Sequence, residues 1–205
     1  MQEHLQADYP EVILASGSTA RAAILGSAGI RFRQQPSPDV DEEVERQRCA
    51  KGTAPGEVAL HLARLKAGVV FKNEPDAIVI GGDQVLAVGE EILRKPANLK
   101  EARDQLQKLR GRVHELHTAA VVLSKARSVE FVDVASMKMR DFSDKFIDCY
   151  LDMCGESVLN SVGAYHIEGL GVHLFSEIKG DYYTILGMPS LPVLEELRHL
   201  RVICE

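Results

Sequence analysis

Two short, unbroken apolar runs constrain this chain more than any other feature: residues 12–15 (VILA) and 77–80 (AIVI). A strand with one wet face alternates apolar and polar residues. A continuous run is covered on both faces, as in the interior of a sheet flanked by helices. Each run stops at glycine and small polar residues, Ser16-Gly17-Ser18 and Gly81-Gly82-Asp83. After the first, Ala22, Ala23, Leu25 and Ala28 give a helical stripe that Gly29 ends. Val58, Leu62, Leu65 and Val69 predict a helix over 55–72, with Thr53 as N-cap and Pro55 and Glu57 in its first turn.

The rest of the chain fills in around these anchors. Residues 31–36 read as a strand and 36–48 as a polar, acidic connection. Val88-Gly89-Glu90 marks a hairpin turn, and Asn98 with Glu101 starts a helix that Gly111 closes. Residues 113–123 and 129–140 read as long strands around a polar turn. The second alternates Phe131, Asp133, Ala135, Met137 and Met139 against Val132, Val134, Ser136, Lys138 and Arg140. Ser143 caps a helix to about residue 153. A strand over 172–178 and a helix over 191–200 follow. Long strands adjacent in sequence break the steady β-α alternation of a doubly wound sheet. The expectation is an α/β fold with a central mixed sheet flanked by helices, in a single domain over 1–205.

Charge and composition exclude several classes. The 24 Lys and Arg against 30 Asp and Glu leave a net charge of −6, against a nucleic-acid coat or an anionic-membrane binder. No apolar run approaches the roughly 18 residues that span a bilayer. The opening MQEHLQADYP lacks the cationic start and apolar middle of a secretory signal, so the expected location is cytoplasmic. Cys49, Cys149, Cys154 and Cys204 show no C-x-x-C spacing and read as free, packing thiols.

Chemistry-bearing residues sit at the ends of the two buried runs. Ser16, Ser18 and Arg21 lie where a strand hands over to a helix, and free N–H groups and a guanidinium suit phosphate oxygens. The plainer reading is a helix cap. Asp83, after two glycines, is placed to hold a cation or take a proton from water, or simply to end a strand. Lys66 lies beside an apolar stripe, where a lysine ordinarily snorkels to solvent. Lys95 follows in RKP. Asp39, Asp41, Glu42 and Glu43 form an acidic cluster, either metal-ligating or solvated surface. His114 and His117 face opposite sides of a strand, and HELH is not a zinc motif.

Taken in order, ILASGSTAR, PDVDE, the helix with Lys66, IGGDQV, LRKP, LRGRVHELHT, GAYHIEGLG and IKGDYYTILGMP resemble the Maf family of nucleoside triphosphate pyrophosphatases. The resemblance implies two lobes around a nucleotide cleft. It also implies cleavage between the α and β phosphates with a divalent cation, Mg²⁺ or Mn²⁺, in a homodimer. By position, Asp83 matches the catalytic acceptor and Glu42 with Asp83 the metal-binding acids. Ser16, Ser18, Arg21, Lys66 and Lys95 match phosphate contacts, and Asp181 lies in a glycine-led turn near the cleft. Gln84 and Glu168 look like the branch acting on 7-methyl-GTP, where the dTTP/UTP branch carries Thr and Gln. Thr19-Ala20 departs from the family's usual Pro and bulky residue, which widens the base pocket at Ala20. The family's link to septum formation leaves a nucleotide-binding regulator of cell division as the other reading.

Overall fold

The computed structural model describes residues 5–37, 40, 42–49 and 52–204. Asp39 and Asp41 of the acidic cluster lie outside them. In chain order the elements are β1 (Val12–Ala15), α1 (Thr19–Ser27), β2 (Arg33–Gln34), α2 (Glu42–Arg48), α3 (Pro55–Asn73), β3 (Ile78–Val88) and β4 (Glu91–Leu93). Then come α4 (Leu99–Leu109), β5 (Val113–Leu123), β6 (Ser128–Met139), α5 (Asp144–Cys154), β7 (Phe175–Lys179), α6 (Tyr182–Leu186) and α7 (Ser190–His199). Short 3-10 turns occupy Gly155–Asn160, Val162–Ala164 and Leu170–Leu174. The seven strands form one sheet of order β2-β1-β3-β5-β6-β7, with β4 on β3. β1 is parallel to β2 and β3, whereas β3–β4 and β6–β7 are antiparallel. The sheet is mixed, as the element order predicts.

Several boundaries differ from the sequence reading, each for a physical reason. The second strand shrinks to Arg33–Gln34, because Pro36 cannot donate to a ladder and both residues are exposed at the sheet edge. The connection over 36–48 contains helix α2. That helix has no apolar stripe; three acids in its first turn and Arg46 and Arg48 in its last complement the helix dipole instead. The cap of α3 is Ala54, not Thr53: a residue before proline is held extended, so the helix begins at Pro55. β3 does not stop at Gly81 but continues to Val88, so Asp83 lies within the strand. Residues 170–174 form a 3-10 turn, so β7 begins only at Phe175. All four cysteines are free thiols, but Cys149 and Cys204 are exposed where packing positions were expected.

The chain divides into two compact units. The first comprises residues 1–84, 118–133 and 182–205. Its core sets Val12 and Leu14 of β1 and Ile78 and Ile80 of β3 against Ile24 and Leu25 of α1 and Val193 and Leu197 of α7. The other face of β3 is crossed so closely by α3 that a Cβ at Gly81 would lie 2.5 Å from the Ala63 carbonyl. This is why glycine stands there. Buried Glu196 is paired with Arg127.

The second unit comprises residues 85–117 and 134–181. Asn98 caps α4 by accepting from Glu101 N, and Ser143 caps α5 by accepting from Phe146 N. His114, Tyr165 and Phe175 pack in a buried aromatic cluster, with His114 Nε2 2.8 Å from the Tyr165 hydroxyl. Burial holds the His114 imidazole down at about 4 and raises the Tyr165 phenol. His114 serves the core, and among the described residues no group of three His, Cys, Asp or Glu is arranged to hold a metal.

Candidate active site

Pairing between β1 and β3 ends at Ala15↔Gly81. β1 turns into Ser16-Gly17-Ser18 there, while β3 carries on through Gly82, Asp83 and Gln84. Groups from both faces of β3 therefore gather at the carboxyl end of β1, where parallel strands present ligands. Alternation along the strand sends Asp83 to the α3 side, with Gly81, and Gln84 to the opposite side, with Gly82.

On the α3 side, Asp83 is 3% exposed and Lys66 7%, so neither charge is solvated as a surface group would be. Lys66 Nζ donates to Asp83 Oδ1 at 2.7 Å and lies 2.5 Å from Glu42 Oε1. Arg46, one helical turn beyond Glu42 on α2, brings Nη2 to 3.4 Å from Asp83 Oδ2 and 3.6 Å from Glu42 Oε2. Lysine on an apolar helix face usually escapes to water, but here a carboxylate on the adjacent strand fixes it. Ser37 Oγ donates to the Lys66 carbonyl and ties the β2–α2 connection to α3.

On the opposite side, Arg21 is 8% exposed. Its Nε donates to the Gly187 carbonyl at 2.7 Å and its Nη1 to Ser16 Oγ at 3.0 Å. A Cβ at Gly82 would lie 3.1 Å from Arg21 Nε, so this glycine makes room for the guanidinium. Burial pulls the Arg21 pKa down, opposed by the negative charge of Asp83 and Glu42. Ser16 Oγ also accepts from Ser18 N, and Ser18 Oγ accepts from Arg21 N. Ser18 is thus the helix cap that the plainer reading foresaw.

Gln84 is half-buried on this side. Its Nε2 donates to Thr118 Oγ1 and to the Thr184 and Ile185 carbonyls, at 2.9, 2.9 and 3.1 Å. Ala20 is half-buried in the first turn of α1. Lys95 and Glu168 belong to the second unit, and both are exposed there. Asp181 is half-buried in the same unit. Sequence reasoning missed Arg46, Thr118, Thr184 and the Gly187 carbonyl. Arg46 alone had a signal, since Glu42 and Arg46 stand at i, i+4.

Three cations, Arg21, Arg46 and Lys66, thus surround two carboxylates, an arrangement with net attraction for a polyanion. The oxygens of Glu42 and Asp83 meet at one point, which the Lys66 ammonium holds. Two hard oxygen donors fit a Mg²⁺-type ion, which commonly takes one or two carboxylates and completes its shell with phosphates and water.

The sequence model of the Maf-like protein family matches residues 11–200. A 7-methyl-GTP pyrophosphatase of Rhizobium meliloti (strain 1021) is 43% identical over 195 residues, covering 95% of this chain and 98% of its own. One of Brucella abortus biovar 1 (strain 9-941) is 44% identical, covering 94% and 98%. A nucleoside triphosphate pyrophosphatase of Bradyrhizobium diazoefficiens is 46% identical over 193 residues, covering 94% and 95%. By a family match across nearly its whole length and relatives of this similarity, the chain belongs to the Maf family.

Proposed function

We propose that this chain is a nucleoside triphosphate pyrophosphatase whose reacting centre is the cluster around Asp83. The observation that carries the reading is the buried Lys66–Asp83 pair, with half-exposed Glu42 on the same ammonium, beside Arg21 and Arg46. Burying so many charges is costly unless a ligand uses them. Water attacks the α phosphorus, and the bond to the bridging oxygen of the β phosphate breaks. The water's proton goes to Asp83, and nucleoside monophosphate and pyrophosphate leave. Arg21, Lys66 and Arg46 offset the charge that grows on pyrophosphate, with Ser16 and Ser18 as further phosphate contacts.

Glu42 and Asp83 would hold the divalent cation, Mg²⁺ or Mn²⁺, which when bound neutralises phosphate charge and lowers the pKa of its water.

The substrate is a purine nucleotide of the 7-methyl-GTP kind. Relatives named for that substrate support this, as does Glu168, whose carboxylate suits the N–H edge of guanine. The homodimer and the cytoplasmic location belong to the same proposal. Among the described residues no helix is long and apolar enough to cross a membrane.

The deciding experiment measures pyrophosphate release from GTP, 7-methyl-GTP, dTTP and UTP with Mg²⁺ or Mn²⁺. Release from 7-methyl-GTP at the highest kcat/KM is expected. Preference for dTTP or UTP overturns the base assignment, and no release by folded protein overturns the activity.

A further inference from the structure

Glu168 stands in a stretch, residues 163–171, that has no long helix or strand of its own, yet contacts from three other elements fix it. Gly163 and Ala164 take φ +78 and +59 in succession. An alanine in this left-handed region is strained and persists only where its surroundings over-determine it. Here Tyr150 on α5 donates its hydroxyl to the Ala164 carbonyl at 3.1 Å. Tyr165 is buried, with its hydroxyl 2.8 Å from His114 Nε2 on β5. Its ring meets that of Phe175, at the start of β7, edge-on with centroids 4.9 Å apart. Among the described residues His114 Nδ1 has no partner, so the Tyr165 hydroxyl is the one hydrogen-bond contact of the imidazole.

Beyond Tyr165 the chain doubles back on itself. The His166 carbonyl accepts from Gly169 N at 3.2 Å, and a Cβ at Gly171 would lie 2.3 Å from the same oxygen. Glu168 sits within this tight loop and is exposed. The loop has a rigid root and a chemically active tip.

We infer that His114, Tyr150 and Tyr165 are positioning residues for base recognition: by pinning the chain ahead of Glu168 they aim its carboxylate at the N1–H and 2-amino edge of guanine. The inference deepens the pyrophosphatase reading above and rests on its assignment of Glu168. A carboxylate accepts both donors at once only when they lie near its plane. A loosened root lets that plane rock, and the second hydrogen bond is lost first. All three residues belong to the second unit, whereas Asp83, Lys66 and Arg21 belong to the first. The effect therefore falls on nucleotide choice and not on the chemical step.

The test uses Tyr165→Phe, which deletes the hydroxyl and keeps the ring, and Tyr150→Phe, which does the same opposite the Ala164 carbonyl. Pyrophosphate release is compared for GTP and ITP, because inosine keeps N1–H and lacks the 2-amino group. Each variant should lower the GTP-to-ITP ratio of kcat/KM by about threefold to tenfold, the range of one weakened hydrogen bond. The loss should lie in KM for GTP, with kcat held within about twofold. In a Glu168→Ala background neither substitution should alter the ratio. His114→Leu should act as Tyr165→Phe does, and the two together should cost no more than one.

A second measurement is independent of turnover. Amide hydrogen exchange at Gly169, followed by NMR, should speed up by about threefold to tenfold in Tyr165→Phe, while amides of α3 keep their rates. A GTP-to-ITP ratio unchanged in both variants, or unaltered exchange at Gly169, overturns the inference. So does an unchanged ratio in Glu168→Ala alone, since that carboxylate would then read no base. Absence of turnover in the wild-type chain overturns the pyrophosphatase reading instead, and the exchange at Gly169 still decides the anchor.

Discussion

Gly81→Ala tests how closely the sheet and α3 are fitted. The added Cβ would sit 2.5 Å from the Ala63 carbonyl oxygen, 2.8 Å from Ala67 Cβ and 3.0 Å from Ala67 N. All three belong to one helix, and two are backbone, so no side-chain rotation relieves them. Restoring van der Waals contact requires α3 to move out by about 1 Å. Overpacking of this kind costs about 1–3 kcal/mol, and backbone contacts put this case near 3. For a chain of this size that lowers Tm by about 6–12 °C. The same displacement carries Lys66 with it, since Lys66 immediately precedes Ala67. A 2.7 Å ion pair to Asp83 would open beyond hydrogen-bonding distance, so kcat should fall by about tenfold or more.

Gly68→Ala on the same helix is the control. Nothing lies within 4 Å of its added Cβ, and alanine should raise stability by about 0.8 kcal/mol. Urea melts of both variants decide the matter. If Gly81→Ala unfolds at the wild-type midpoint with unchanged slope, the close approach of α3 to β3 is wrong.

Three further outcomes are expected. Asp83→Asn should keep the fold and lose about 10²–10⁴ in kcat; near wild-type turnover would remove Asp83 from proton transfer. Lys66→Met should destabilise by about 3–5 kcal/mol because the buried Asp83 carboxylate loses its lysine partner. Adding Asp83→Asn should recover part of that loss in a double-mutant cycle read by urea melts. The His114 imidazole, held at about 4 against 6.5, is neutral in the folded chain while the unfolded chain takes up protons. Stability should therefore be full above pH 6.5 and fall by about 3 kcal/mol as pH drops to 4. His114→Gln should remove that slope, and an unchanged profile would refute the assignment.

What the sequence made legible follows periodicity. VILA and AIVI announce buried strands because continuous apolar runs have one common use. The stripe through Val58, Leu62, Leu65 and Val69 announces α3 for the same reason. Helix α2 escaped notice because its dipole-matched charges leave no apolar period. Gly81 and Gly82 looked like a strand ending because glycine ordinarily punctuates. Here each strips a side chain from the strand interior, one facing α3 and the other Arg21. Asp83 and Lys66 were visible as residues, but their burial against each other was not, since it depends on which helix crosses which strand. The acceptors for Arg21 and Gln84 were beyond reach, because a backbone carbonyl leaves no mark on the letters of a sequence.

The Gly187 carbonyl that anchors Arg21 lies 166 residues downstream of it. A ribosome adding about 5–20 residues per second takes roughly 8–33 s to traverse that stretch. In the later part of that interval the nascent polypeptide contains its aspartate and lysine but still lacks the carbonyl that fastens its arginine. Arg21 therefore gains its full set of contacts only after the chain has been made past Gly187.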